Sequence, residues 1–131
     1  MSPHRRSRLG QVGEELAARF LGEQGYEIVE RNFRCPAGEI DIVAKEGECL
    51  IFVEVRTRRG RALGTPEESV NPRKQRKLIE LGQTYLNTRE LGEIDWRIDV
   101  VAVELTPAGY LARIELIANA VGAFAEKGLG G

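Results

Sequence analysis

"GEIDIVAKEGECLIFVEVRTRRG", residues 38–60, alternates apolar and polar residues on either side of a charged Glu-Gly pair, the pattern of two strands joined by a tight turn. Ile40, Ile42, Ile51, Val53 and Val55 define a face to be buried, and Glu39, Asp41, Glu54 and Arg56 take the other. Threonine or serine would serve an ordinary solvent face, so three carboxylates and a guanidinium there ask for an explanation. A loop at Glu46-Gly47 sets Lys45 opposite Glu48, Asp41 opposite Phe52 and Glu39 opposite Glu54. Asp41 and Glu54 are then diagonal neighbours with Cα atoms about 7–8 Å apart. Carboxylates so placed can share a hard divalent cation, with each oxygen about 2.0–2.1 Å from magnesium. The same residues also suit a solvated cross-strand salt-bridge face, each pair worth less than about 1 kcal/mol. A slip of one residue would part Asp41 from Glu54 across the sheet.

Outward from this hairpin, Leu9, Val12, Leu16 and Phe20 recur at helical spacing and predict a helix from Leu9 to Gln24, stopped at Gly25. Tyr26–Arg31 reads as a short strand and NFRCPAG as a loop. RRGRALGTPEE reads as an exposed basic loop, the kind of segment that carries function. Asn71-Pro72 fits an N-cap with proline in the first turn of a second helix, whose Leu78, Leu81, Tyr85 and Leu86 form a buried stripe. Ile94–Leu105 and Tyr110–Ile117 read as strands paired through a Pro-Ala-Gly turn. The order α-β-β-β-α-β-β predicts an α/β domain with a mixed central sheet flanked by helices. One domain is expected over 1–131, with a basic tail at 1–8 and a frayed end at 126–131.

Composition narrows the function classes. No apolar run approaches the roughly 20 residues that span a bilayer, and MSPHRRSRLGQ has no apolar segment behind its basic residues, so neither a membrane protein nor a secretory signal is expected and the cytoplasm is the default compartment. Cys35 and Cys49 stand 14 residues apart and His4 is the only histidine, too few ligands for a Cys/His zinc site. The net charge of −1 taken alone argues against a nucleic-acid binder. The distribution argues for one: of 19 Lys and Arg, 11 fall in the stretches Arg5, Arg6, Arg8; Arg56, Arg58, Arg59, Arg61; and Arg73, Lys74, Arg76, Lys77. Gathered on one face they would follow a phosphate backbone; apart, they are three solvated charge runs.

The segments "GEIDIVA" and "FVEVRTR" resemble the acidic elements of the PD-(D/E)XK nuclease superfamily, which has the restriction-endonuclease-like fold. Together with "VGEELAARFLGEQGYEIVERNFR", "VNPRKQRKL" and "RIDVVAV", they resemble the YraN-like family, related to Holliday-junction resolvases, over most of residues 9–105. The resemblance implies Asp41 and Glu54 as ligands of Mg²⁺ or Mn²⁺, with Glu39 as a water ligand or supporting acid. It also implies Glu14 as a third catalytic acid, although helical periodicity places Glu14 opposite the apolar stripe and so on the surface. Arg56 stands where the superfamily usually has lysine, although arginine occurs there among the close relatives; a guanidinium stays protonated and can orient or stabilise charge but not accept a proton. Lys74 is a candidate replacement.

The expected function is metal-dependent endonucleolytic hydrolysis of DNA, branched or duplex, by Glu14, Asp41, Glu54 and Arg56. Arg58, Arg59, Arg61, Arg73 and Lys74 would hold phosphates, and a homodimer would suit symmetric cutting. The alternatives are a non-catalytic nucleic-acid-binding or scaffold module on the same fold, and a protein-interaction domain.

Overall fold

The computed structural model describes residues 7–120. Its elements run α1 (Arg8–Glu23), β1 (Glu27–Cys35), β2 (Gly38–Glu46), β3 (Cys49–Arg59), a 3₁₀ turn (Glu67–Ser69), α2 (Pro72–Thr88), β4 (Trp96–Leu105) and β5 (Leu111–Ile117). The strands form one sheet in the spatial order β1-β2-β3-β4-β5. β1, β2 and β3 are an antiparallel meander, β3 and β4 are parallel, and β4 and β5 close as an antiparallel hairpin. A parallel step needs a crossover, and α2 supplies it. This is the mixed α/β architecture that the sequence predicts. The predicted tail at 1–8 overlaps the description only at Ser7 and Arg8, which belong to the start of α1; residues 1–6 and the expected frayed end lie outside the described residues.

Both faces of the sheet are covered. Leu78, Leu81 and Tyr85 of α2 pack with Phe33, Ile40, Val43, Leu50, Phe52, Ile98 and Val100. Ala17 and Leu21 of α1 pack with Tyr26, Ile42, Ala44, Ile51, Val53, Val101, Val103 and Leu105. The near-continuous apolar runs of β3 and β4 follow from burial on two sides. No helix among the described residues is long and apolar enough to cross a membrane.

Local signals explain the helix ends. Ser7 caps α1, its Oγ accepting the Gly10 N–H at 3.0 Å, and Asn71 caps α2 by accepting the Lys74 N–H at 2.9 Å. Proline in the first turn of α2 forfeits only an N–H without a helical acceptor. The buried side of α1 differs from the predicted stripe. It is Gly13, Glu14, Ala17 and Leu21, while Val12 is 41% exposed. A Cβ on Gly13 would lie 1.8 Å from Thr57 Oγ1, so the helix meets β3 through its smallest residues and Leu9 and Leu16 pack at the margin. Hydropathy cannot register a face made of glycine and alanine. That face carries Glu14 into the interior.

Three further expectations are corrected. β1 runs through NFRC to Cys35, because Phe33 pairs with Ile40 and is buried, leaving Pro36 and Ala37 as the turn. The β2–β3 register pairs Glu46 with Cys49, Lys45 with Leu50 and Val43 with Phe52, so the two-residue loop is Gly47-Glu48 and not Glu46-Gly47. Gly47 has φ +60°, which suits the first central position of a hairpin turn and is costly for glutamate. RRGRALGTPEE is not wholly irregular either: β3 extends to Arg59, and the segment beyond is fastened by ion pairs through Arg61 and Glu67.

Candidate metal centre and nucleic-acid face

The site begins with a reversal in the backbone. Ile42 packs on the α1 side, whereas Ile40, expected on the same face, packs on the α2 side. Their partners in β1 divide likewise. Phe33, opposite Ile40, joins the α2-side core, while Arg31, opposite Ile42, reaches Glu15 of α1 at 2.9 Å. Between these pairs lie Asn32 and Asp41, and Asn32 has φ +58°. Asparagine tolerates this left-handed conformation better than most residues. The reversal there turns both strands over and breaks the alternation on which the one-face expectation rests.

The paired ladder between β2 and β3 ends at Ile42–Val53. Beyond it, Asp41 Oδ2 accepts the Val55 N–H at 2.8 Å, so a side chain takes over from the backbone where the strands part. Glu14 from α1, with Glu39 and Asp41 from β2, each bring a carboxylate oxygen into a group whose members lie within 4.8 Å of one another. Asn32 Nδ2 donates to Glu14 Oε1 at 2.9 Å and contacts Glu39 Oε1 and the Asp41 carbonyl at 3.4 Å. Positive charge stands close by: Arg31 Nη2 is 3.8 Å from Glu14 Oε1, and Arg34 Nε is 3.3 Å from Glu39 Oε2. Like charges at this spacing repel unless cations offset them. An all-oxygen set from three carboxylates suits a hard divalent cation.

Glu54 is not a member of this trio. Its buried carboxylate accepts two cations at the same oxygen, Lys74 Nζ at 3.4 Å and Arg56 Nη1 at 3.5 Å. The acids thus group as Glu14, Glu39 and Asp41 in one cluster, with Glu54 paired to Lys74 of α2 and to Arg56. The remaining Arg56 contacts are sparse. Nη2 lies 3.4 Å from the Ser69 carbonyl, and the buried Nε has no hydrogen-bond partner among the described residues.

The predicted phosphate-binding residues are placed unequally. Arg59 and Arg73 are exposed, and Arg58 and Lys74 are half-buried. Arg61 is engaged by Glu104, its Nε and Nη2 donating to the two carboxylate oxygens at 2.7 and 3.0 Å. Arg113 also donates to Glu104, and to Glu67 at 2.7 Å. Hydrogen bonds from Arg61 and then Arg113 hold the Glu104 carboxyl below the usual glutamate range, and Arg113 does the same for Glu67. The Arg113 guanidinium is correspondingly raised by Glu67 and Glu104.

Sequence reasoning missed two groups. Asn32, the residue that ties the acids together, carries one signal, an asparagine next to a buried aromatic. The second group is centred on Asp99, which is fully buried and accepts from Arg97 Nε at 3.0 Å, Tyr26 Oη at 3.1 Å and the Asn119 N–H at 2.7 Å. Burial and then the Asp99 charge push the Tyr26 hydroxyl up. This network joins β4 to the entry of β1 and the exit of β5.

Fold and site together define a small α/β protein with a carboxylate cluster at a parting of strands and a basic helix start paired with a further buried acid, Glu54. Residues 13–103 match the model of the Uncharacterised protein family UPF0102, and the chain belongs to that family, in keeping with the YraN-like motifs. It is 50% identical over 115 residues to a UPF0102 protein of Moorella thermoacetica, covering 88% of this chain and 96% of that one. It is 48% identical over 118 residues to one of Roseiflexus castenholzii, covering 89% and 95%. A third, of Syntrophus aciditrophicus, is 47% identical over 113 residues, covering 86% and 87%. The matched span holds all four acids, Arg56 and Lys74.

Proposed function

We propose that the chain is a divalent-metal-dependent hydrolase of DNA phosphodiesters, with the PD-(D/E)XK type of site and with branched or duplex DNA as substrate. The observation that carries this reading is the convergence of Glu14, Glu39 and Asp41, drawn from two elements, with Glu14 buried on a helix face. These three residues would hold Mg²⁺ or Mn²⁺. A metal bound there lowers the pKa of a coordinated water and offsets charge on the phosphate. Glu54 supplies a fourth carboxylate, oriented by Lys74 and Arg56. Arg56 would steady phosphate oxygens, and Lys74 would take the place of the superfamily's lysine. Arg58, Arg59 and Arg73 would contact phosphates and so read shape before base sequence. A twofold pair of chains would serve two opposed strands.

The test is cleavage of branched, flapped and linear DNA with Mg²⁺ or Mn²⁺ by the wild-type chain and by Glu14→Ala, Asp41→Ala and Glu54→Ala. Loss in each variant is expected; activity surviving all three removes the site. One observation favours a second reading, a nucleic-acid-binding or scaffold module: Glu54 already has two cationic partners. Calorimetric titration with Mn²⁺ separates the readings, since a binding module has no need of a divalent site.

A further inference from the structure

A cleft of about 270 Å³ opens between the first turn of α1 and the end of β3, lined among others by Ser7, Gly10, Arg56, Thr57, Arg58 and Ser69. No carboxylate lines it. We propose that this cleft binds a phosphate group, an extension that builds on the nucleic-acid reading above without requiring the metal centre to be active.

Three observations point to an anion. The lining residues include two arginines and three hydroxyl-bearing residues, a donor set matched to an oxyanion. Arg56 has its hydrogen-bonding capacity poorly used: of five donors, Nη1 meets Glu54 at 3.5 Å and Nη2 the Ser69 carbonyl at 3.4 Å, and its buried Nε has no partner among the described residues. A buried donor without an acceptor carries a desolvation penalty, which an arriving oxyanion would relieve as the guanidinium turns to present its fork. The α1 terminus that forms one wall adds the positive end of a 16-residue helix.

Position gives the cleft its meaning. Val55 lines it and donates its N–H to Asp41 Oδ2, and Thr57 lies against Gly13, the residue before Glu14. The phosphate would therefore sit one short step from the acid trio, where a neighbouring phosphate of the same strand would lie. Strand-internal diesters and terminal monoesters share this chemistry.

The test uses the full chain, ¹⁵N-labelled, in EDTA, titrated separately with inorganic phosphate, the unphosphorylated dinucleotide TpT and its 5′-phosphorylated form. Expected are shifts of the Arg56 Nε–Hε resonance and of the Gly10 and Thr57 amides. Arg58→Gln should weaken binding roughly tenfold, the scale of a lost charged hydrogen bond, and Arg19→Gln, on the exposed side of α1, should leave it unchanged. A response to TpT assigns the strand interior, and a response confined to the 5′-phosphorylated form assigns a strand end; either supports the cleft. No shift with any of the three, or equal binding by Arg58→Gln, overturns it. Phosphate binding intact in a chain that cleaves nothing with Mg²⁺ or Mn²⁺ counts against the hydrolase reading alone.

Discussion

Asp41 Oδ2 accepts the backbone N–H of Val55 at 2.8 Å, one residue pair past the end of the β2–β3 ladder. The carboxylate thus has a structural duty as well as any ligand role, and the two can be separated. Asp41→Ala leaves the Val55 N–H without that acceptor and should cost about 1–3 kcal/mol. Asp41→Asn keeps an acceptor oxygen and should recover most of that loss while still lacking the charge needed for Mn²⁺. Urea unfolding and Mn²⁺ titration on the same two variants check both halves.

Gly13→Ala should damage stability and site together. The added Cβ would meet Thr57 Oγ1 at 1.8 Å, an overlap that must push α1 off β3. Overpacking of this kind costs roughly 1–3 kcal/mol. Because Glu14 follows directly, metal affinity should fall as well. Thr57→Ala in the same chain should restore part of each, read by denaturation and by Mn²⁺ titration.

Acid should loosen the segment between β3 and α2 before the sheet. Glu104, through Arg61 and Arg113, and Glu67, through Arg113, titrate below their ordinary value in the folded chain. For a depressed carboxyl the stabilisation is fully present above the unfolded-state pKa and is lost as pH falls through the lower folded value. Hydrogen exchange across residues 60–70 should therefore accelerate below the usual glutamate range while β3 and β4 stay protected. Glu104→Gln should show that looseness already at neutral pH.

Lys74 separates charge from geometry. Lys74→Arg keeps a cation beside Glu54 but exchanges a compact point charge for a planar fork, so cleavage should fall while stability changes little. Lys74→Met removes the charge as well and should also lower stability, since the buried Glu54 would then keep Arg56, at 3.5 Å, as its cation among the described residues. Cleavage rates on DNA, alongside melting curves, distinguish the two variants.

The sequence disclosed α2 well because its determinants are local: Asn71 and Pro72 cap it, and Leu78, Leu81 and Tyr85 recur at helical spacing. The strands of the hairpin were legible for the same reason, but its register was not. Glu46-Gly47 and Gly47-Glu48 both read as turns, and the choice depends on which residue takes a positive φ. The resulting shift of two residues preserves side-chain parity, so Val43 and Phe52 still share a face. Ile40 and Asp41 escaped for a different reason, since the reversal at Asn32 belongs to two paired strands and no single-strand pattern contains it. The burial of Glu14 was hidden by its neighbours: Gly13 and Ala17 make a helix face by being small, and only the family resemblance pointed to that acid.

The trio of Glu14, Glu39 and Asp41, with Asn32 at its centre, is complete by residue 41, whereas Lys74 lies on the crossover helix and the strand that shields β3 follows that helix. Chains emerge from the ribosome N-terminus first. The nascent protein therefore carries the trio, Asn32 and the arginines Arg31 and Arg34 before Lys74 and β4 are synthesised, so the order of synthesis delivers these acids together with their first partners.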